Sequence, residues 1–204
     1  MNAAGSRSIG ILGGTFDPPH IGHLILGEYA VEALNLDCLL YVPAADPPHK
    51  RNREKTAVEH RLAMLQLALA GNDHFCLSRI DLDRPGPHFS LDMVRIVQAH
   101  HPGAVLYFVM GGDSLRDLPT WHRPEKLMEL CQFAVMERPG DAIDPHMHDG
   151  VLPGLGQRVV MLKTPVLEIS STEIVNRLRE GRSVRYLVPD SVLAYIAQNG
   201  LYRS

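Results

Sequence analysis

A short apolar run, Ile9-Gly10-Ile11-Leu12, passes directly into Gly13-Gly14-Thr15-Phe16-Asp17-Pro18-Pro19-His20-Ile21-Gly22-His23 and then into a helix-like segment ending at Leu34. A strand, a glycine turn and a helix start, in that order, make a phosphate site. Glycine lets a phosphate come close to the backbone, and the first N–H groups of a helix have no partner within it and point outward. Two histidines three residues apart fall on neighbouring positions of that first turn. The stretch therefore reads as a nucleotide-phosphate site with imidazole donors.

The rest of the chain repeats the alternation of strand and helix. Cys38-Leu39-Leu40-Tyr41-Val42 is a continuous apolar run, as for a strand covered on both faces, and Pro43 ends it. A polar loop with Asp46-Pro47-Pro48-His49-Lys50-Arg51 follows, then an amphipathic helix from Ala57 to Ala70 stopped by Gly71. Phe75 to Leu82 reads as a strand, Arg84-Pro85-Gly86-Pro87 as a turn, and Ser90 to His100 as a helix. Ala104 to Met110 is the most apolar run and should be a central strand opening onto Gly111-Gly112-Asp113-Ser114. Helices are expected at Pro124 to Leu130, from Ser170 and from Pro189 to Asn199, with further strands at Cys131 to Glu137 and Val159 to Leu162. Gly140 to Gly156 reads as a long surface loop, the least ordered part. The pattern predicts an α/β, Rossmann-like, doubly wound and mostly parallel sheet with helices on both faces. In such a sheet ligands sit at the carboxyl ends of the strands, where Gly13-Gly14, the loop after Pro43 and Gly111-Gly112 converge.

At 204 residues and 45% hydrophobic content, a single α/β domain over residues 1–204 is the expectation. Twenty basic and 23 acidic residues give a formal charge of -3, which argues against a broad nucleic-acid surface. Cys38, Cys76 and Cys131 are odd in number and lie in apolar runs, so buried free thiols and a cytoplasmic setting are expected. No leader and no membrane span are expected, since no stretch approaches 18 apolar residues.

The motif at Gly13–His23 is neither a Walker loop, which needs Gly-Lys-Ser/Thr, nor the Gly-x-Gly-x-x-Gly dinucleotide fingerprint. Zinc binding by His20 and His23 lacks further ligands, and no Glu stands between them as in a metalloprotease helix. His146-Met147-His148, flanked by Asp144 and Asp149, reads as a polar loop rather than a metal site, because no structured ligand frame surrounds it. No resident metal ligands are assigned.

The Gly-Gly-Thr-Phe-Asp-Pro-Pro-His-x-Gly-His stretch resembles the signature of the nucleotidyltransferases marked by His-x-Gly-His or Thr-x-Gly-His. Ile169-Ser170-Ser171-Thr172-Glu173-Ile174, about 150 residues on, resembles the motif that closes over the triphosphate in that superfamily. Pro47-Pro48-His49-Lys50, Gly111-Gly112-Asp113-Ser114 with Leu118-Pro119-Thr120-Trp121, and Gln132 to Pro139 ending in Arg-Pro are similar to the bacterial nicotinate-nucleotide adenylyltransferase family. So are Arg182 to Pro189 and Gly200-Leu201-Tyr202-Arg203. The resemblance implies adenylyl transfer from ATP, with Mg²⁺, to nicotinate mononucleotide, giving the dinucleotide precursor of NAD and pyrophosphate. Phosphopantetheine adenylyltransferase, whose first and last motifs also match, and a non-catalytic ATP-binding sensor are the competing readings. Homo-oligomerisation and the preference for nicotinate over nicotinamide stay open.

The same resemblance implies roles. Gly13, Gly14, Thr15 and Phe16 would admit and contact the α-phosphate, and His20 and His23 would donate to it and to the leaving pyrophosphate. Lys50 would neutralise triphosphate charge. Gly111 and Asp113 would sit at the ribose or the metal-bound nucleotide, Arg138 near adenine or the phosphates, and Ser170, Ser171 and Thr172 at the β and γ phosphates. The part from about 170 to 204 would complete the ATP site. Trp121 would stack on the pyridine ring, with His49, Phe89 and Ser90 around the acceptor. Two departures stand out. Val175 occupies a place where the family commonly has Arg, leaving Arg177, Arg179, Arg182 and Arg185 open as substitutes. Phe89-Ser90 stands where Tyr-Thr is common, and Ser keeps the hydroxyl. Because the attacking phosphate is already anionic, the reaction needs placement and charge neutralisation rather than a general base.

Overall fold

The computed structural model describes residues 6–45, 55–136, 143–165 and 167–203. Among these residues six strands form one parallel sheet: β1 (Ser8–Gly14), β2 (Cys38–Pro43), β3 (Phe75–Leu77), β4 (Val105–Gly111), β5 (Gln132–Met136) and β6 (Val159–Leu162). Their order is β3-β2-β1-β4-β5-β6, so the chain reverses direction across the sheet between β1 and β4. The described α-helices that connect or follow them are α1 (Ile21–Leu34), α2 (Val58–Leu69), α3 (Ser90–His100), α4 (Gly112–Asp117), α5 (Pro124–Leu130), α6 (Ser171–Arg179) and α7 (Asp190–Gln198).

Strand side chains alternate between two buried faces, which is why the strands read as unbroken apolar runs. Ile9, Ile11, Leu40, Val42, Phe108 and Phe133 join one core with α3, α4 and α5. Leu12, Leu39, Tyr41, Tyr107 and Val109 face the other way, onto α1 and the inner face of α2. Met64 and Ala68 of α2 belong to a third cluster with Ile174, Val184, Val188, Val192 and Ile196, which brings α6 and α7 against α2. The doubly wound sheet expected from the alternation is therefore the one formed.

The contact between α1 and β2 decides where the histidines stand. A Cβ on Gly27 would lie 2.1 Å from the Tyr41 hydroxyl and 2.8 Å from Phe75 Cζ, so α1 can approach the sheet this closely only at a glycine. From beneath, the fully buried Tyr41 phenol donates to the His23 carbonyl at 3.1 Å.

Two expectations change. The strand expected over 75–82 stops at Leu77. Residues 79–83 form turns instead, with Leu82 and Asp83 N–H donating to the Arg79 carbonyl and Arg79 pairing with Asp83. Local side-chain and turn hydrogen bonds there replace the ladder. The stretch expected to be a loosely ordered loop is, over 143–158, a set of turns pinned by Ile143, Leu152 and Leu155, all buried in the first core. Asp144 accepts the His146 N–H at 2.8 Å, His146 Nδ1 meets Asp149 at 2.7 Å, and Asp149 accepts the Gly156 N–H at 2.8 Å. Among the described residues no group of three or more His, Cys, Asp or Glu side chains could hold a metal ion. None of the described helices is long and apolar enough to cross a membrane. Cys38, Cys76 and Cys131 are free thiols, the last fully buried.

Candidate active site

β1 and β4 run side by side, with Leu12 opposite Val109, so Gly13-Gly14 and Gly111 arrive at one sheet edge, at the reversal point. The glycines there do different jobs. Nothing lies within 4 Å of a Cβ built on Gly13 or on Gly111, so both present open backbone. A Cβ on Gly14 would meet the Phe16 ring at 2.9–3.1 Å, and one on Gly112 would meet Ile143 at 2.6 Å. Gly14 and Gly112 are therefore small to admit a side chain of the protein itself. Gly13 and Gly111 are the positions at which a ligand can approach.

Phe16 takes the left-handed backbone conformation, φ 50°, and buries its ring under the loop. The His23 ring stands edge-on to it at 5.0 Å, and the His20 ring stacks on His23 at 3.7 Å between centroids. His20 is the N-cap residue of α1, and its backbone N–H donates to His23 Nδ1 at 3.2 Å. That bond fixes the His23 tautomer: Nδ1 accepts, so the proton of the neutral ring sits on Nε2. His20 is 6% exposed, and its Nδ1 is buried without a hydrogen-bond partner. Burial lowers its pKa from the ordinary 6.5 to about 4. At neutral pH His20 is an uncharged imidazole and offers one N–H, not a proton to give away.

This has a measurable consequence for stability. Between pH 6.5 and about 4 the unfolded chain binds the His20 proton and the folded chain does not. Stability from this group is whole above 6.5 and declines as the pH falls toward 4, by roughly 3 kcal/mol in total. Urea unfolding at pH 7.5 and pH 4.5 should show a smaller acid loss in His20→Gln than in the native chain. Equal losses in the two proteins would contradict the assignment.

The amides at the start of α1 are not all left for a ligand, as the sequence suggested. Ile21 N–H donates to the Leu187 carbonyl and His23 N–H to the His20 carbonyl, both at 2.9 Å. The helix start is thus partly used to dock the segment before α7. A second tie comes from α6. Ser171 Oγ donates to the Pro18 carbonyl at 2.9 Å across 153 residues of sequence, and Ile169 Cβ lies 3.8 Å from a Cβ built on Gly22. Ser170 caps α6, its hydroxyl accepting the Glu173 N–H at 3.2 Å. The two motifs are therefore in contact, and Ser171 serves first to join them.

Asp113 lies exposed in the first turn of α4, 3.9 Å from Arg116, and Gly111 rather than Asp113 is the N-cap residue. On the other side, Phe89 is the N-cap residue of α3 and Ser90 its first residue. Trp121 is half-buried, edge-on to Phe108 at 5.7 Å. His122 stacks on the Phe89 ring at 4.0 Å and 16°. Arg84, almost buried with Asp81 in a 2.7 Å ion pair, also donates to the Pro87 and Phe89 carbonyls and so fixes the turn leading into α3. Neither His122 nor Arg84 was anticipated. Their signal in the sequence is slight: an imidazole beside the lone tryptophan, and an arginine three residues after an aspartate. His49, Lys50 and Arg138 lie outside the described residues.

Of the four arginines open as substitutes at Val175, Arg177 donates to the Ser183 carbonyl, Arg182 pairs with Glu173 and Glu180, and Arg185 lies over the Tyr186 ring. Two cavities, of about 430 and about 510 Å³, lie elsewhere, beside α5 and between α6 and α7. Neither is lined by a residue of the two motifs, and the chemistry of the donors, not hollow volume, marks the sheet edge as the site.

The family model described as cytidylyltransferase-like matches residues 11–177. A Thermomicrobium roseum protein described as "Probable nicotinate-nucleotide adenylyltransferase" is 46% identical over 196 residues, covering 96% of this chain and 92% of the relative. A Roseiflexus protein of the same description is 43% identical, covering 97% of this chain and 99% of the relative. In structure, the chain is similar to Plasmodium falciparum nicotinic acid mononucleotide adenylyltransferase complexed with NaAD, with a TM-score of 0.76 at 22% identity over 96% of this chain and 97% of that one. That likeness speaks to the fold.

Proposed function

The chain belongs to the cytidylyltransferase-like family, among its nicotinate-nucleotide adenylyltransferases, and we infer that it transfers the adenylyl group of ATP to nicotinate mononucleotide. The products are nicotinate adenine dinucleotide and pyrophosphate, and the step belongs to NAD biosynthesis. The observation that carries this reading is identity of 46% along 96% of the chain. The contact between the His-x-Gly-His and Ile-Ser-Ser-Thr segments, through Ser171 and Pro18, supports it.

In the proposed reaction an oxygen of the acceptor 5′-phosphate attacks the α-phosphorus. The bond from that phosphorus to the bridging oxygen breaks, and pyrophosphate leaves with the electron pair. Negative charge develops on the α-phosphate oxygens and on the leaving group. Imidazole donors at His20 and His23 meet that charge, beside the open backbone of Gly13 and Gly111 in this scheme. Thr15 and Phe16 carry the loop; Ser170, Ser171 and Thr172 form the wall toward the β and γ phosphates; Asp113 stands by the ribose. Lys50 and Arg138 supply cationic charge in this scheme. Trp121, Phe89 and Ser90, with His49, form the acceptor side, where the α3 start offers N–H groups to the ring carboxylate. Mg²⁺ arrives with the nucleotide as part of the substrate. In this scheme the ion is held by the nucleotide phosphates with one or two carboxylates. Residues 1–204 act as one nucleotidyltransferase domain in this reading, with α6 and α7 closing the ATP side. The enzyme works in the cytoplasm on small molecules without nucleic acid or membrane; assembly as a homo-oligomer is compatible with it.

The test is pyrophosphate release with ATP and Mg²⁺, supplied with nicotinate mononucleotide, with phosphopantetheine, or with no acceptor. Release is expected with the first alone. Equal release with phosphopantetheine, or nucleotide binding without release in any arm, would overturn the reading.

A further inference from the structure

We propose that Tyr202 and Arg61, remote in sequence from both motifs, are positioning residues that hold the phosphate loop in its working shape through Asp17 and Thr15. Asp17 sits in the middle of the Gly13–His23 stretch. Its Oδ1 accepts the Tyr202 phenol at 2.5 Å, and its Oδ2 accepts the Thr56 N–H at 3.0 Å. Arg61 of α2 is 2% exposed, and its guanidinium donates to three main-chain carbonyls. Nη1 reaches Thr15 and Ala44, each at 3.0 Å, and Nε reaches Thr56 at 3.2 Å. The residue after β2, the lead-in to α2, the phosphate loop and the C-terminal turn thus meet on one cation and one carboxylate.

The backbone gives an independent reason to assign this network a task. Phe16 and Tyr202 both have positive φ, 50° and 63°, a region that bulky side chains rarely adopt. Phe16 precedes Asp17 in the chain, and Tyr202 bonds its carboxylate. From Asp17 the constraint passes to the adjacent Phe16, whose ring fills the space over Gly14 and stands edge-on to His23 at 5.0 Å. Releasing Asp17 lets Phe16 relax, and with it the ring that sets the orientation of His23. The kinetic consequence rests on the adenylyl-transfer reading; the geometric one does not.

Tyr202→Phe removes one oxygen and leaves the ring that packs against the α2–α7 cluster. In this variant kcat should fall about tenfold, a part of the loss that an ångström of misplacement brings, while KM for the acceptor stays within about twofold. The thermal midpoint should stay close to that of the native chain. The ¹⁵N resonances of the His20 and His23 rings should shift, and those of His100 and His101, at the far end of α3, should not. Asp17→Ala, which removes the acceptor altogether, provides the second variant. Tyr202→Phe placed on Asp17→Ala should add less than about twofold to its kinetic loss, since the phenol has already lost its acceptor. Unchanged kcat with unmoved His20 and His23 resonances would overturn the proposal, as would fully multiplicative losses in the double variant. If the native chain turned over no acceptor, the adenylyl-transfer reading would fall, and the imidazole resonances alone would decide the positioning role.

Discussion

His23→Ala should lower kcat by about 10²–10³-fold and leave the sheet and helices in place. The reason lies in where the His23 proton is. Its Nδ1 is occupied by the His20 N–H, so the ring acts as a donor through Nε2, and alanine removes that donor entirely. No side chain that packs against it can replace the function: Phe16 has no N–H to offer, and His20, a donor in its own right, is held at its own place in the stack. The substitution also leaves the His20 N–H without its acceptor, which costs about 1 kcal/mol at a helix cap. A fold whose described residues form three buried clusters tolerates that. His23→Asn separates the two effects: its amide oxygen can accept the cap N–H while its amide nitrogen falls short of the position of Nε2. Single-turnover rates with saturating ATP, set beside far-UV circular dichroism of each variant, give the measurement. Turnover within a few-fold of native in folded His23→Ala would remove His23 from the catalytic set.

Much of this arrangement is legible in the residues, for physical reasons that differ by element. α1, α3 and α5 begin and end where glycine, proline and polar breakers say they should, and the buried strands read as apolar runs because both their faces are covered. β3 is the exception: its continuation is apolar enough to be a strand, but Arg79, Asp81 and Asp83 form turn contacts that the hydrophobic pattern does not carry. Within the site, the residue types of the motif are legible and their division of labour is not. Nothing local says that Gly14 serves Phe16 while Gly13 stays open, because that depends on a ring two residues away turning back over the loop. Ser171 looks like a phosphate ligand, yet its hydroxyl is given to Pro18, a partner that only the folded chain supplies. Arg61 left a trace that periodicity could have caught. It falls on the buried stripe of α2 with Met64, Leu65 and Ala68, where a charge must find acceptors or not be there at all.

Gly22→Ala should cost about 10²-fold in kcat, a larger loss than its single methyl suggests. Gly22 separates the two histidines, and its lack of a side chain makes room for one of them. A Cβ there would lie 3.1 Å from His20 Nδ1 and 3.2 Å from His20 Cε1, closer than side chains normally approach. The His20 ring cannot yield by moving deeper, since it is already buried and stacked on His23 at 3.7 Å. Nor can the new methyl swing away, because it is fixed to the first turn of α1, whose N–H at Ile21 is bound to Leu187. The ring must tilt, and His23 must tilt with it. Helix propensity works the other way: alanine favours α1 by up to about 1 kcal/mol over glycine, so the variant should fold at least nearly as well as the native chain. Loss of rate without loss of stability is therefore the signature to look for, measured as kcat beside the urea midpoint. A variant that kept native turnover would show that the His20–His23 stack is not part of the catalytic geometry. One that lost stability and rate in proportion would reduce Gly22 to a packing residue.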